Sequence, residues 1–482
     1  MPATANPLPL FGRGYASKSP SVTTQRLING YRDVEVDPDK TAMPIYGTPG
    51  LTLINSVTNG PVRGGIVLNL VQGGGTYIFL VAGTKFWAIN PAGTLVDGGN
   101  ILNGSGPVYF SWNGTQLFFV DGKQGWMYPP FTAPLAQIVD VDFPVPPAGP
   151  TTCTWLGGYF FVTKAGSNKI QISALNDCTS WNALDFFNAE TAPDNVVRIE
   201  ADQGELVLFS DRTVEWWALS GDAAIVRRVG SSGIEWGCVA GETVAKFSNG
   251  LCFLAQNRQG EVQVGVLAGH QFNAISADDP EINHELNNRS PTILGAATAF
   301  SYFMDGHSFY QLNFSDASYL YDDMTKSWSR VTSGTFGSRH YANLRLAFAQ
   351  QPYVVDYRNG NIYLLDKTNY TDNGDVQQFE ITSKHIFNAG NEISVNELTV
   401  EIEAGDGLAT GQGSDPQIMV SWSKDGGRTW GNEVWMPMGK IGEYRRRATL
   451  RNLGRARDWA FKFRISDPIP RKLVSAEVML EP

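Results

Sequence analysis

The chain reads as all-β: a β-propeller of six or seven blades, preceded by an extended N-terminal arm and followed by a C-terminal β-sandwich-like domain. Three observations predict this. A unit recurs seven times, an apolar run, a short turn rich in Gly, Asn, Asp or Lys, and a second apolar or aromatic run. Turn chemistry is abundant, with 51 Gly, 26 Pro and Asn-Gly pairs at Asn29, Asn59, Asn103, Asn113, Asn249, Asn359 and Asn373. Tight hairpins need φ > 0, and these pairs supply it cheaply. The last hundred or so residues alternate polar and apolar positions at period two, the mark of half-buried antiparallel strands.

Residues 1–50 carry little apolar periodicity and many Pro, Ser, Thr and Asp residues, so they read as an arm that needs something else to pack on, and a neighbouring subunit is expected to supply it. Residues 51–375 hold the recurring units, which begin near Tyr77, Leu117, Tyr159, Leu206, Leu251, Tyr302 and Tyr353. Starts roughly 40 to 51 residues apart suit one small antiparallel sheet per unit, packed radially about an axis. The Pro-rich stretch Pro129–Pro150 interrupts them and reads as a long loop between blades. The best short helix candidate is Pro280–Arg289. Residues 376–482 form the sandwich, with strands at Glu397–Glu403, Gln417–Trp422, Trp459–Ile465 and Leu473–Leu480.

With 482 residues and 42% hydrophobic composition, the chain can bury a large core. Its net charge of -10 argues against nucleic-acid binding by bulk positive charge. The charge is unevenly spread: from Lys440 to Lys472, 11 Lys or Arg stand against 3 acidic residues, a local +8 that leaves -18 elsewhere. Arg445, Arg446, Arg447, Arg451, Arg455 and Arg457 concentrate that charge and are candidate partner-binding residues. Arg suits bidentate pairing with carboxylates, so acidic protein surface is the expected partner, ahead of DNA phosphates.

Ser423, Asp425, Gly427, Thr429 and Trp430 fit S-x-D-x-G-x-T-W, the Asp-box pattern of sialidase-type propellers. In that pattern the Asp and hydroxyl side chains bond turn backbone and the Trp packs beneath, which is a structural staple. A glycosidase needs several such boxes on its blades and a carboxylate pair in one cleft, whereas this chain has one box, outside the propeller.

No other constellation points to a reaction centre. Cys153, Cys178, Cys238 and Cys252 have neither CxxC spacing nor a His at ligand distance, and read as buried thiols in a reducing compartment. The histidines, His270, His284, His307, His340 and His385, form no HxxxH or HExxH pattern. Trp216-Trp217 reads as blade packing ahead of a sugar-stacking platform. Met1–Gly14 has no basic start followed by an apolar stretch, and no run approaches the ~20 apolar residues of a membrane span. A non-enzyme without cofactor or metal is expected, made in the cytoplasm.

The stretch Lys169–Cys238 resembles the packaged-DNA stabilisation proteins, the tail hub or nozzle subunits of short-tailed, podovirus-type bacteriophages. The resemblance is carried by Ile170-Gln171-Ile172-Ser173, Trp181 through Phe186 with Ala189-Glu190, Pro193-Asp194, Gly204-Glu205-Leu206, Thr213 through Trp217, and Ile234 through Cys238. Asn29, Tyr31 and Pro49-Gly50-Leu51 resemble that family's opening segment. Trp430-Gly431, Arg447, Gly454, Arg455, Arg457 and Phe461 through Arg464 resemble its closing domain. The resemblance implies a structural virion protein: a homo-hexameric ring below the portal and adaptor (head-completion) rings, extending the double-stranded DNA channel. It further implies partners in a needle or plug and in tail fibres or tailspikes, DNA passing without sequence-specific contact, and no catalytic residues. The alternative is a carbohydrate-active propeller, either a sialidase-like hydrolase or a receptor-binding lectin.

Overall fold

A computed structural model describes residues 4–8, 10, 23–33, 43–222, 224–334 and 338–481. Seven antiparallel sheets follow one another along the chain. Blades 1 to 6 span Val62–Asn100, Tyr109–Gln137, Pro150–Asn188, Val196–Ile234, Trp236–Ala274 and Thr298–Val331. Blade 7 takes three strands from Ala342–Asp366 and its outer strand from Gly50–Ser56, which pairs with Asn361–Asp366. The start of the propeller therefore closes its end. Val67 N–H to Ala347 O (2.8 Å) and Ala347 N–H to Gly65 O (3.1 Å) join the inner strands of blades 7 and 1.

The apolar runs do not alternate because both faces of a blade are buried. In blade 2, Leu117 and Phe119 pack toward blade 1, while Phe118 and Val120 pack toward blade 3. In blade 4, Leu206 and Leu208 face blade 3, and Val207 and Phe209 face blade 5. Trp217 and Trp216 divide in the same way, each about 95% buried. Each junction between successive blades, including 7 to 1, has its own apolar cluster, and this is what makes the count seven.

Four features differ from the sequence reading in ways with a physical cause. The sixth unit, at Tyr302, marks the first two strands of its blade (Thr298–Met304 and His307–Asn313), whereas the others mark the second and third. Both hairpins are equally tight, and the sequence pattern cannot tell them apart. Of the Asn-Gly pairs, only Asn59-Gly60 and Asn373-Gly374 have both residues at positive φ. Asn113 and Asn359 instead use their side-chain oxygens to accept bonds from turn N–H groups. Helix Pro280–Asn288, capped by Asp279, is followed by a second short helix, Pro291–Gly295. Finally, the described parts of residues 1–50 find something to pack on within their own chain.

Thr4–Pro7 pairs with Lys472–Glu481, and Leu8 and Leu10 enter the sandwich core. Gly30–Arg32 and Ile45–Gly47 extend the same sheet. Arg26–Ile28 lies parallel to Ser327–Val331 of blade 6 and antiparallel to Phe379–Thr382 of the sandwich. One continuous sheet thus runs from blade 6, through an N-terminal strand, into Phe379–Thr382, Asp458–Ile465, Gln417–Ser423 and Val434–Pro437. The opposing layer holds Lys472–Glu481, Ile393–Ile402 and Ala448–Ala456. Between the layers lie Trp459, Phe461, Phe463, Val395 and Leu398.

Asn29 secures this seam. It is fully buried at φ 53°; its amide donates to Thr332 Oγ1 (3.1 Å) and Gln378 O (2.8 Å), and its Oδ1 accepts from Thr332 N–H (2.8 Å). Arg471, also fully buried, donates to Gln377 O (2.8 Å) and lies over Tyr370. Burial lowers its pKa to about 10.

Candidate functional site

Among the described residues strand Ala448–Ala456 is the edge of its layer, paired only on the Ile393–Ile402 side. Ala448, Leu453 and Ala456 turn into the core, which leaves Arg451 and Arg455 outside; a bulge at Asn452 (φ 60°) and Gly454 (φ 98°) keeps both arginines exposed. Arg445, Arg446 and Arg447 precede the strand, Arg457 follows it, and all are exposed. Arg451 Nε pairs with Glu397 Oε2 at 2.9 Å, while no carboxylate among the described residues pairs with the other five. The basic cluster is thus a surface feature at one edge of the sandwich. Cations on an edge strand also discourage unwanted strand addition.

The Ser423–Trp430 turn spends its polar groups internally. Asp425 Oδ1 accepts from Ser423 Oγ (2.7 Å), Arg428 N–H (3.1 Å) and Thr429 N–H (2.9 Å), and Oδ2 accepts from Thr429 Oγ1 (2.6 Å). Ser423 Oγ accepts from Gly427 N–H at 2.8 Å. Gly426 (φ 67°) and Gly427 (φ 79°) take left-handed turns that a side chain would strain. The Thr429 hydroxyl and amide, then Ser423, hold the Asp425 carboxyl down to about 2. Trp430 is half-buried with the Lys462 ammonium 4.2 Å from its ring centre.

An axial cavity of about 480 Å³ opens where inner strands of the blades converge. Arg63, Tyr109, Thr152, Glu242, Thr298 and Asn343 line it. Arg63 donates to the carbonyls of Gly83, Asn103, Ser105 and Gly106, so its guanidinium ties loops together. Burial raises the Glu242 carboxyl against the opposing pull of Arg198. Among the described residues Glu242 is the one carboxylate in the lining, and the paired-carboxylate chemistry of glycoside hydrolysis needs two.

One catalytic-looking relay exists that the sequence spacing did not reveal. Thr24 Oγ1 lies 3.1 Å from His385 Nε2, and His385 Nδ1 lies 3.0 Å from Asp458 Oδ1. The residues are far apart in sequence, so only the fold could bring them together. The threonine is packed against Gly427, where an added Cβ would sit 2.2 Å from Thr24 Cγ2. None of the three lines the axial cavity, and the arrangement fastens the N-terminal segment to the Ser423–Trp430 turn.

The remaining histidines have separate surroundings. His307 bridges Asp322 (3.0 Å) and Asp33 (3.3 Å), His270 meets Glu205 (2.6 Å), and His284 lies on the exposed side of helix Pro280–Asn288. Buried His340 is lowered to about 3 by desolvation and by Arg339. The four cysteines are free and buried, and burial raises their thiols; Cys178 and Cys238 reach about 12. Among the described residues no group of His, Cys, Asp or Glu is arranged to hold a metal ion, and no helix is long and apolar enough to cross a membrane.

A closed propeller joined to a sandwich through a shared sheet is a β scaffold, which names no chemistry by itself. Comparison with protein families supplies the particular identity. Residues 7–370 match the family described as bacteriophage P22 Gp10, beta-propeller, and residues 378–481 match bacteriophage P22 Gp10, beta-sandwich. The chain belongs to this family, the tail hub or nozzle proteins that stabilise packaged DNA, and it is a structural component of a phage tail. No curated protein matches the chain. Among solved structures it is similar to the Pan2 WD40 domain of Neurospora crassa, with 10% identity and TM-score 0.40, covering 66% of this chain and 94% of that one. It is also similar to BamB of Moraxella catarrhalis, with 11% identity and TM-score 0.39, covering 71% and 98%.

Proposed function

We propose that this chain is the repeating subunit of a hexameric ring that extends the DNA channel below the portal and adaptor, helps retain the packaged genome, and carries tail fibres or tailspikes. The observation that carries this reading is the match to both domains of one tail-hub family across nearly the whole chain. Physical features support it. A ring subunit needs rigidity, and the sheet shared by blade 6 and the sandwich removes the hinge that a simple linker would leave. It needs separate surfaces for separate neighbours, and Arg445, Arg446, Arg447, Arg455 and Arg457 offer charge that no carboxylate among the described residues pairs with. The acidic remainder suits a channel that passes DNA without gripping phosphates. Needle or plug proteins are the partners expected at its outlet, and assembly takes place in the host bacterial cytoplasm.

Native mass spectrometry of the purified chain, and imaging of its complex with adaptor and portal, test this. A six-membered ring coaxial with the portal is expected, and virions lacking the chain should lose their DNA after packaging. A chain that stays monomeric alone and with its tail partners, in virions that retain DNA without it, would overturn the reading.

A further inference from the structure

Two exposed apolar patches of opposite charge lie far apart on the molecule. The first is the tip of the sandwich, the loop between strands Val434–Pro437 and Ala448–Ala456. Ile441 is 63% exposed and Tyr444 is 73% exposed, and Arg445, Arg446 and Arg447 follow at once. The loop is held in shape. Gly442 N–H donates to Gly405 O at 3.2 Å, Glu443 N–H to Lys440 O at 2.9 Å, and Lys440 N–H to Glu443 Oε2 at 3.1 Å. The Tyr444 ring rests on Gly405 (φ 93°), where an added Cβ would come within 2.5 Å of it. A pre-shaped loop carrying Tyr, Ile and Arg has the composition of a binding hot spot and little ordering left to do.

The second patch is on the outer rim of blades 2 and 3. Strand Asp177–Asn188 pairs Trp181 with Ser173 and Phe186 with Gln171, so Asn182 through Asp185 bulge outward. The bulge is fixed by Gln171 Nε2 to Asn182 O (2.6 Å) and by Leu184 N–H to Asn182 Oδ1 (3.0 Å), and it leaves Leu184 81% exposed. The connector after blade 2 lies against this strand. Asp140 Oδ2 accepts from Trp181 N–H at 3.0 Å, and Phe143 packs on the Trp181 ring with centroids 5.0 Å apart. Val139 and Val141, on either side of Asp140, are 84% and 93% exposed. Asp142 and Asp185 add negative charge, and no cation among the described residues pairs with either.

In a ring of seven blades, the junction of blades 2 and 3 lies half a turn from blade 6, the blade that the sandwich extends. The acidic apolar rim and the basic apolar tip are therefore on opposite sides of the molecule. Two different, complementary patches so placed cannot satisfy one another within a chain. Complementary patches so placed suit a head-to-tail contact between copies, the kind that closes into a ring when the rotation permits.

We infer that the sandwich tip of one copy docks on the blade 2–3 rim of the next, with Ile441 and Tyr444 seated among Val139, Val141 and Leu184, and the arginines facing Asp142 and Asp185. The inference rests on the ring reading above and specifies the surfaces that build it.

Full-length Arg446→Glu/Arg447→Glu and Asp142→Arg/Asp185→Arg variants test it by native mass spectrometry, with circular dichroism melting as the check on folding. Arg446, Arg447 and Asp142 are exposed and Asp185 is half-buried at the rim, so both variants should melt like the wild type yet remain monomeric where the wild type forms rings. Placing all four changes in one chain should restore the ring. A Tyr444→Cys/Leu184→Cys chain should form disulfide-linked ladders under oxidation, while either cysteine alone should not. Rings from both reversed variants would overturn this docking and leave the ring reading standing. So would failure of the four-change chain to reassemble, or cross-linking of the tip to another tail protein in assembled virions. A wild-type chain that forms no ring would overturn the ring reading and the docking with it.

Discussion

Asn29→Ala should weaken the seam between propeller and sandwich more than its size suggests. The Asn29 side chain makes three hydrogen bonds, to Thr332 Oγ1, Thr332 N–H and Gln378 O, in a fully buried site. Truncation leaves the Thr332 N–H and Gln378 carbonyl without partners, and each unsatisfied buried group costs about 1–3 kcal/mol. Alanine must also hold φ near 53°, which adds about 1 kcal/mol. The total expected loss is about 3–7 kcal/mol. Asn29→Gly keeps the backbone geometry and should lose about 2–6 kcal/mol, which isolates the hydrogen bonds. Urea unfolding should be followed by near-UV and far-UV circular dichroism separately, because a chain of this size need not unfold in two states. Hydrogen exchange at Arg26–Ile28 should accelerate in both variants. An alanine variant within about 1 kcal/mol of wild type, or a glycine variant with full stability, would refute the reasoning.

Three further outcomes are expected. Asp425→Ala should cost about 1 kcal/mol through lost turn bonds in this exposed loop. Because the folded carboxyl is held at about 2, below its unfolded value, its stabilising effect is present above about pH 4 and lost as pH falls toward 2, and acid unfolding of the variant should lack that component. His340 is neutral when folded and protonates only near 3, so wild-type stability should fall as pH drops below the unfolded value of about 6.5, by up to about 1.4 kcal/mol per pH unit. His340→Gln should be less stable at pH 7.5 but show a shallower acid limb in denaturant titrations. Leu8→Ala, which removes a side chain buried in the sandwich core, should cost about 2–4 kcal/mol, and an unchanged melting curve would detach the N-terminal segment from that core.

Much of this protein was legible in its sequence because much of it is local. A blade hairpin is two apolar runs and a turn a few residues long, so the pattern from Tyr77 to Tyr353 revealed the propeller, and the period-two runs after Glu397 revealed the sandwich strands. The Asp425 turn was readable for the same reason, since its bonds span no more than four residues. Long-range pairing was not readable. Nothing near Gly50–Ser56 says that it completes blade 7, and nothing near Arg26–Ile28 says that it joins blade 6 to the sandwich. Asn29 looked like a hairpin turn and proved to be a buried fastener, because its partners Thr332 and Gln378 lie some 300 residues away. The sequence determined which residues are apolar, which turn and which carry charge. Only the tertiary structure decided which strands meet across hundreds of residues, and so which of the arginines, valines and leucines were left facing outward, on opposite sides of a closed ring of blades.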